Sequence, residues 1–355
     1  MSRLKVAVVG CGHLGTIHAR LLAAREDAEL VAVVDPSLAA RDRVAAAHGC
    51  RGLAAPSELR GLVDAAVVAS PTDLHADSAV PLLEAGIDLL VEKPVASSRL
   101  EAERIVATAD RNGRVVAVGH VERFNPAWAV AVARVGSPVA VEAHRRAPFT
   151  FRSLDVGVVL DLMIHDIDLV LSLRPGRLVD VHGTAVAATG GHEDAVRAHL
   201  RFDSGFVADL TASRIHPAVD RSMTLWGRSG LVTVDFQTKR VDTVTPSAEV
   251  ASGEFVAAGV TPAERDRLKE CFFETVLPRA TEDLPQGNAI ASEHDDFLRA
   301  VTTRERPLVD AASGMEALEV ALQVVESLTV VRLDGVVPST RDTGRVVDPP
   351  RRRAA

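Results

Sequence analysis

The feature that most constrains the fold is a glycine-rich turn near the start of the chain, whose glycines are Gly10, Gly12 and Gly15. It follows a short apolar run, residues 4–9, that is typical of a buried strand, and it opens a stretch with a helical pattern. Glycines at this spacing let the chain turn tightly and let backbone N–H groups approach a pyrophosphate at the helix N-terminus. The order strand, turn, helix predicts a dinucleotide-binding βαβ unit, and the alternative is a similar turn in some other α/β protein.

A carboxylate ends the second predicted strand, 20 residues after the last glycine of the turn. Asp35 at this point would accept hydrogen bonds from the adenosine ribose hydroxyls and would repel a 2′-phosphate, so NAD is favoured over NADP. Arg41 and Arg43 lie slightly further along and could soften this preference, although exposed helix positions would also explain them. Together with His13 and Leu14 inside the turn, Asp35 completes the predicted adenosine-side cofactor site.

Short apolar runs alternate with helical patterns through the first 120 residues. The predicted strands are residues 4–9, 30–34, 65–69, 87–91 and 115–118. The predicted helices are residues 13–25, 37–48, 75–85 and 98–111. Continuous runs of Val, Ala, Leu and Ile are typical of parallel strands that are buried on both faces. We therefore predict a doubly wound parallel sheet, an α/β Rossmann domain, over residues 1–121.

The pattern changes after about residue 121, where alternating runs are joined by glycine-containing turns. Strands are predicted at 138–146, 178–188, 195–202, 206–213, 221–226 and 231–235, and helices at 157–173, 289–303 and 312–329. This indicates an α+β domain over residues 122–333, built on a large, mainly antiparallel sheet, followed by a tail over 334–355. An apolar outer face of that sheet would need a partner, so we expect a homodimer or homotetramer.

The composition excludes several classes of protein. The net charge of −8 argues against a nucleic-acid partner, and the three cysteines lie too far apart for a disulfide framework or a metal site. No stretch approaches the ~18 apolar residues of a membrane span, so a cytoplasmic protein without a metal or membrane partner is expected. The chain has no tyrosine, which excludes the short-chain dehydrogenases, whose proton donor is a tyrosine.

A lysine follows the strand predicted at 87–91, in the sequence Glu92-Lys93-Pro94. The carboxyl ends of parallel strands are where α/β sheets place their sites, so Lys93 is expected near the nicotinamide crevice. A cation there would favour the alkoxide of a reacting alcohol. Taken alone, a strand-end lysine could equally be a surface residue.

The predicted helix at 157–173 carries a histidine with nearby carboxylates. The spacing of four between Asp161 and His165 puts both side chains on one helix face, and Asp168 lies about one turn further on. A histidine beside a carboxylate is a general-base arrangement. Two alternatives stay open on the residues alone: a metal site, for which no third ligand is evident, and a structural polar pair.

The glycine turn, the Glu92-Lys93-Pro94 sequence and the Asp161/His165 helix, in this order, resemble the Gfo/Idh/MocA oxidoreductase family over essentially residues 1–330. The family's nicotinamide-side loop is matched by Ser70-Pro71-Thr72 and the histidine three residues later. The resemblance implies hydride transfer between a sugar or cyclitol carbon and NAD(P). It also implies residue roles: His165 as proton acceptor, Lys93 polarising the reacting oxygen, Asp161 supporting both, and Glu92, Ser70, Thr72 and His75 touching the nicotinamide half.

Four longer strings, residues 119–126, 142–149, 161–168 and 211–214, resemble one branch of that family, the UDP-N-acetylglucosamine 3-dehydrogenases of 2,3-diamino-sugar synthesis for lipid A. The branch oxidises the sugar C3 hydroxyl, and an aminotransferase then acts on the ketone. The chain departs from the branch in its tail after about residue 333 and in residues 247–265.

A nucleotide-sugar diphosphate needs cations, and four arginines are candidates to bind it. Arg145 and Arg146 point to opposite faces of a strand, so only one of them can serve. The predicted substrate residues are Arg123, Asn125, Arg146 and Arg214.

Two other functions are weighed against a nucleotide-sugar dehydrogenase. One is a dehydrogenase of a free sugar or an inositol, which would have the same fold. The other is a Rossmann-type ligand sensor or an inactive family member. The intact set of Lys93, Asp161 and His165 argues against a non-catalytic protein.

Overall fold

The computed structural model describes residues 3–151, 153, 156–189, 191–333 and 345–346. The chain divides into two compact units: residues 1–124 with 288–320 form the first, and residues 125–287 with 321–355 form the second. No helix in the described ranges is long and apolar enough to cross a membrane. The predicted tail, 334–355, lies outside the described residues except for the two at 345–346.

The first unit is built on a six-stranded parallel sheet with the strand order β3-β2-β1-β4-β5-β6. Its strands are β1 Leu4–Val9, β2 Ala28–Val34, β3 Arg51–Leu53, β4 Ala65–Val68, β5 Asp88–Glu92 and β6 Val116–Gly119. Its helices are α1 His13–Ala23, α2 Leu38–His48, α3 His75–Glu84, α4 Arg99–Asn112, α9 Ala289–Thr303 and the first part of α10 Ala311–Ser327. Every residue of β4, β5 and β6 is buried, as expected for strands covered on both faces. The predicted Rossmann sheet is therefore confirmed.

Helix α9 belongs to this first unit although it lies far along the chain. Its Phe297, Leu298 and Val301 join the buried cluster that contains Val6 and Val33 of the parallel sheet. The division predicted from the sequence placed all of 122–333 in the second domain, and the structure differs from it in this segment. The reason is the apolar face of α9, which is buried against the Rossmann core.

The second unit is built on a mainly antiparallel sheet, which confirms the predicted α+β architecture. Among the described residues the sheet has ten strands, in the order β14-β13-β12-β11-β7-β10-β9-β8-β15-β16. They are β7 Pro138–Arg146, β8 Leu178–Ala187, β9 Ala195–Phe202, β10 Val207–Ser213, β11 Asp220–Gly227, β12 Gly230–Asp235, β13 Arg240–Val244, β14 Arg279–Asp283, β15 Leu328–Arg332 and β16 Arg345–Val346. Only the pairs β7/β10, β8/β15 and β15/β16 are parallel. The unit's helices are α5 Pro126–Val135, α6 Ile164–Ser172, α7 Ala248–Ser252 and α8 Pro262–Thr275.

The two faces of this sheet differ in character. On β7, Val141, Ala143 and Arg145 are buried, and the alternate residues are half-buried or exposed. The outer face collects polar and charged side chains along the central strands: Glu142, His144, Arg146, Arg197, His199, Arg201, Asp209 and Thr211. This outer face is polar, so it does not by itself require a partner, and the homo-oligomer stays a prediction.

Candidate active site

The glycine turn lies between β1 and α1, at the carboxyl end of the first unit's central strand. Gly10 has a φ of 100°, and a Cβ there would lie 2.5 Å from the carbonyl oxygen of Ala69. A Cβ on Gly15 would lie 1.8 Å from the carbonyl oxygen of Gly10. A Cβ on Gly12, in contrast, would meet nothing within 4 Å. Gly10 and Gly15 therefore make the turn possible, whereas Gly12 leaves open space above it.

That open space faces the N-terminus of α1, where no side chain caps the helix in the structure as described. The first N–H groups of an uncapped helix bind anions well, and His13 and Leu14 contribute two of them. The turn thus fits the pyrophosphate of a dinucleotide in both shape and charge.

Asp35 follows β2, as expected for the adenosine side of a dinucleotide site. Its Oδ2 accepts a hydrogen bond of 2.8 Å from the Cys11 N–H, and its Oδ1 accepts one of 2.8 Å from the Ser37 N–H. The carboxylate is thereby oriented next to the turn. Arg41 and Arg43 donate to backbone carbonyls, those of Asp35 and Pro36 and that of Cys11 respectively. These contacts engage one terminal nitrogen of each of the two arginines that could soften the preference for NAD.

The loop after β4 is tied down by a buried imidazole. His75 is 1% exposed, its Nε2 lies 2.9 Å from the Ser70 carbonyl oxygen, and its Nδ1 lies 2.9 Å from that of Pro94. Burial lowers the pKa of this imidazole, and the carbonyl contacts oppose that effect. The ring therefore lies between the carbonyl oxygens of two loops, and its neutral form donates its single N–H to one of them. Thr72 begins the short 3-10 turn beside it.

Ser70 has a different environment from His75. Its Oγ is buried and has no hydrogen-bond partner among the described residues. A buried hydroxyl without a partner is uncommon and fits a site that a ligand completes.

Glu92 ends β5, and the peptide bond that follows Lys93 is cis. The Glu92 carboxylate is buried, with Oε1 2.8 Å from His18 Nε2 and Oε2 3.2 Å from the Lys93 N–H. Burial by itself would raise the pKa of this carboxyl, but the His18 hydrogen bond and the charge of Lys93 hold it below its usual value. Glu92 is therefore an anchored carboxylate directly before Lys93.

Positive charge is concentrated where β5 and β6 end. His120, which is fully buried, has its pKa lowered to about 3 by burial and then by the charges of Lys93 and Arg123. Both cations thus act on the same imidazole, which stays neutral at physiological pH. This places Arg123, one of the predicted substrate residues, in the same part of the first unit as Lys93.

In the second unit, Asp161 and His165 lie on two kinds of helix. The predicted continuous helix is a π-helical turn, Val159–Met163, followed by α6. Asp161 lies in the π turn and His165 in the first turn of α6, and both are half-buried. Single π-helical turns inside helices are often found at functional sites. Asp161 and His165 remain about one helical turn apart, so the Asp161 carboxylate can still support the His165 imidazole.

Two of the predicted substrate residues hold local structure instead. Asn125 caps α5, because its Oδ1 accepts from the Ala127 N–H and its Nδ2 donates to the Phe236 carbonyl oxygen, both at 3.1 Å. Arg214 is 6% exposed and donates to Asp194 Oδ1 at 2.8 Å. It also donates to the carbonyl oxygens of Ser153 and Val156. Both residues therefore have partners in the local structure, and their part in substrate binding stays a prediction.

Arg146 also differs from the prediction. Its neighbour Arg145 turns inwards and pairs with Asp166 of α6. Arg146 therefore points to the opposite face of the sheet, where it lies 3.4 Å from Asp220 and 2.9 Å from His144. It lies on the face away from the helix that carries His165. Arg123, in contrast, belongs to the same unit as Lys93.

The sequence interpretation missed a buried polar cluster that includes His18, Glu293 and His294. His18 lies three residues after Gly15, so both face the core on α1. A histidine at that helix position was the available signal. Its partners lie 74 and 276 residues away in the chain, which no local pattern reveals.

Two family models match the chain. Residues 4–120 match the Gfo/Idh/MocA oxidoreductase family with an NAD-binding Rossmann fold, and residues 129–233 match a Gfo/Idh/MocA C-terminal domain. The chain is similar to a UDP-N-acetylglucosamine 3-dehydrogenase of Acidithiobacillus ferrooxidans, with 34% identity over 91% of this chain and 97% of the relative. The solved structure of such an enzyme from that organism superposes with a TM-score of 0.80 at 32% identity, over 92% of this chain and 98% of that one. An inositol 2-dehydrogenase of Rhizobium meliloti is 28% identical over 93% of this chain and 98% of its own length.

Proposed function

The chain belongs to the Gfo/Idh/MocA oxidoreductase family, and from that membership we propose that it oxidises the C3 hydroxyl of UDP-N-acetylglucosamine to the 3-keto sugar. The observation that carries the substrate is the similarity to a 3-dehydrogenase of this nucleotide sugar along nearly the whole chain. The 3-keto product would be the substrate of an aminotransferase in 2,3-diamino-sugar synthesis for lipid A.

Three residues carry the proposed chemistry. His165 accepts the proton of the C3 hydroxyl, because a neutral imidazole is a suitable base near neutral pH. Lys93 donates a hydrogen bond to the same oxygen and stabilises the negative charge that develops on it. Asp161 orients the imidazole and stabilises its protonated form. Bound NAD supplies the hydride acceptor.

The first unit supplies the cofactor contacts. The open space at Gly12 and the uncapped start of α1 take the pyrophosphate, and Asp35 takes the adenosine ribose. The buried Ser70 hydroxyl, which lacks a protein partner in the described chain, and Thr72 serve the nicotinamide half. His75 holds the loop that carries them, so its part is positioning rather than contact.

Arg123 is our candidate for the substrate diphosphate. Its charge acts on His120 together with that of Lys93, so both cations lie near the same imidazole. A guanidinium binds phosphate oxygens through paired N–H donors. Arg123→Ala should therefore raise KM for the UDP-sugar about tenfold or more, the cost of losing a charge-assisted hydrogen bond. Arg146→Ala, on the outer sheet face, is the matched arginine control and should leave KM within about twofold.

The test of the substrate is a direct comparison. Purified protein with NAD should form NADH with UDP-N-acetylglucosamine and much more slowly with N-acetylglucosamine or myo-inositol. Faster turnover of myo-inositol would favour the second candidate, an inositol dehydrogenase, which the similarity to the Rhizobium meliloti enzyme supports. No turnover of any of the three would overturn both.

The test of the residues uses conservative variants. Lys93→Met and His165→Gln should each lower kcat by about 10² or more, the usual contribution of general acid–base catalysis. His182→Gln, at an exposed position of β8 in the second unit, is the control for replacing a histidine and should keep the parent rate. Parent rates in both Lys93→Met and His165→Gln would contradict the assignment.

A further inference from the structure

A buried polar cluster in the first unit joins the cofactor-binding helix to the strand that ends beside Lys93. His18 of α1 lies 2.8 Å from Glu92 Oε1 through its Nε2 and 2.8 Å from His294 Nε2 through its Nδ1. Glu293 is next to His294 on α9. All four residues are buried, with a residue exposure of 8% for Glu92 and of 2% or less for the other three.

The carboxylate that carries negative charge in this cluster is Glu92, whose pKa is held below its usual value by the His18 hydrogen bond and the charge of Lys93, against the effect of burial. Burial, followed by the charges of Glu92 and Asp296, raises the pKa of Glu293 well above its usual value, which favours the protonated acid. Burial lowers the pKa of His294 to about 3, so its ring is neutral. The Glu92 carboxylate accepts a hydrogen bond from His18 Nε2–H, and His18 Nδ1 makes its contact with His294 Nε2.

Glu92 occupies a defined place relative to the two halves of a dinucleotide site. It is the last residue of β5, in the half of the sheet formed by β4, β5 and β6. A doubly wound sheet binds one mononucleotide on each half, and the glycine turn assigns the adenosine half to β1 and β2. The carboxylate therefore lies on the nicotinamide half.

We propose that His18 is a positioning residue that fixes the Glu92 carboxylate, and that this carboxylate makes the protein bind the oxidised nicotinamide more tightly relative to the reduced one. The physical reason is charge: the oxidised ring is a cation, the reduced ring is neutral, and only the cation is attracted by a carboxylate. The inference rests on the proposed function only for the use of NAD as the cofactor.

Two variants of His18 separate its contacts. The amide nitrogen of glutamine reaches about as far as Nε2 of histidine, so His18→Gln can keep the hydrogen bond to Glu92. The shorter asparagine places its amide near the position of Nδ1, so His18→Asn can keep the contact with His294 but loses the hydrogen bond to Glu92. Glu92→Gln removes the charge and keeps the shape of the carboxylate.

The measurement is the Kd of NAD⁺ and of NADH for the full chain without any sugar, by titration calorimetry. Glu92→Gln should weaken NAD⁺ binding about tenfold, the order of one charge–charge interaction near a protein surface, and leave NADH binding within about twofold. His18→Asn should shift the ratio of the two constants in the same direction by about threefold or more. His18→Gln should restore both constants to within about twofold of the parent.

If Glu92 and His18 had a purely structural role, their variants would bind NAD⁺ and NADH more weakly by the same factor. That outcome would overturn the proposal. An unchanged ratio in His18→Asn would do the same. If Glu92→Gln does not fold, as judged by circular dichroism, the two His18 variants decide the question. The sugar assay is independent of this measurement. If the protein does not turn over UDP-N-acetylglucosamine but the variants shift the ratio of the Kd values for NAD⁺ and NADH, the proposed substrate is wrong and this inference stands.

Discussion

The Arg145 guanidinium and the Asp166 carboxylate form a buried ion pair that joins β7 to α6, with Nη2 2.7 Å and Nε 3.1 Å from Oδ1. The two residues are 3% and 1% exposed, and Asp166 directly follows His165. Removing one partner of such a pair leaves the other charge buried without compensation. Arg145→Met should therefore lower the free energy of unfolding by about 3–5 kcal/mol, measured by urea denaturation.

A double variant separates the pair from its two side chains. Arg145→Met with Asp166→Leu removes both charges and should recover most of the stability lost in the single variant. A loss of less than about 1 kcal/mol in Arg145→Met would mean that the pair is solvated and does not fix α6.

The glycine turn offers a matched pair of substitutions. A Cβ on Gly15 would overlap the Gly10 carbonyl oxygen, whereas a Cβ on Gly12 would enter open space. Gly15→Ala should cost about 3 kcal/mol of stability, because backbone must move. Gly12→Ala should cost less than about 1 kcal/mol, close to the cost of a changed helix cap, but should weaken NAD binding at least tenfold.

Thermal unfolding and NAD titration of the two variants check this prediction. If Gly12→Ala bound NAD like the parent, the open space above the turn would not be the pyrophosphate site.

Much of the fold could be predicted because the relevant signals are local. Continuous apolar runs and the turn at Gly10, Gly12 and Gly15 define the parallel sheet, and alternating runs define the second sheet. The place of α9 could not be predicted, because an amphipathic helix has the same periodicity whichever sheet it covers.

The site was predictable only in part for a related reason. Residue type at a strand end or on a helix face indicates chemistry, which selected Lys93 and His165. It does not show whether a polar side chain already has a buried partner. Arg214 and Asn125 fit a substrate site by type, yet their donors are bound to Asp194 and to backbone carbonyls. Such partners become visible only in three dimensions.

Asp35 should control the choice between NAD and NADP. Its carboxylate would lie against a 2′-phosphate, and like charges at close range are strongly unfavourable. Asp35→Ser should therefore shift the ratio of kcat/KM values towards NADP by about tenfold or more. The variant loses the hydrogen bonds from Cys11 and Ser37, so a stability loss of about 1–2 kcal/mol is also expected.

Steady-state kinetics with both cofactors provides the measurement for Asp35. Arg41→Ser, which leaves the carboxylate in place, is the control and should keep the parent's preference. If Asp35→Ser lowered kcat/KM by the same factor with NAD and with NADP, the carboxylate would only support the turn.

A homodimer or homotetramer remains our prediction for the state in solution. The outer face of the second unit's sheet carries interleaved acids and bases, such as His199 3.0 Å from Asp209 and Arg201 3.8 Å from Asp180. A face that mixes both signs can be complementary to itself about a two-fold axis. Light scattering should give a mass of two or four times 37.6 kDa at micromolar concentration. A mass of one chain would contradict the prediction.

The buried His294 should make the protein sensitive to acid. Its folded pKa of about 3 lies below its ordinary value of 6.5, so the unfolded chain takes up a proton first as the pH falls. The stability from the neutral ring is present above pH 6.5 and is lost as the pH falls towards 3. At about pH 5 the loss is roughly 2 kcal/mol, from about 1.36 kcal/mol for each unit below the ordinary pKa.

His294→Gln removes this titration, and its amide can still reach the His18 ring. The measurement is the free energy of unfolding in urea near pH 7.5 and near pH 5. The decrease between these two pH values should be about 2 kcal/mol smaller in the variant than in the parent. The neutral His120 contributes equally to both proteins and cancels in the difference. Identical pH dependence in the two proteins would mean that the His294 ring takes up a proton in the folded state, and the assignment of a neutral ring to His294 would then fail.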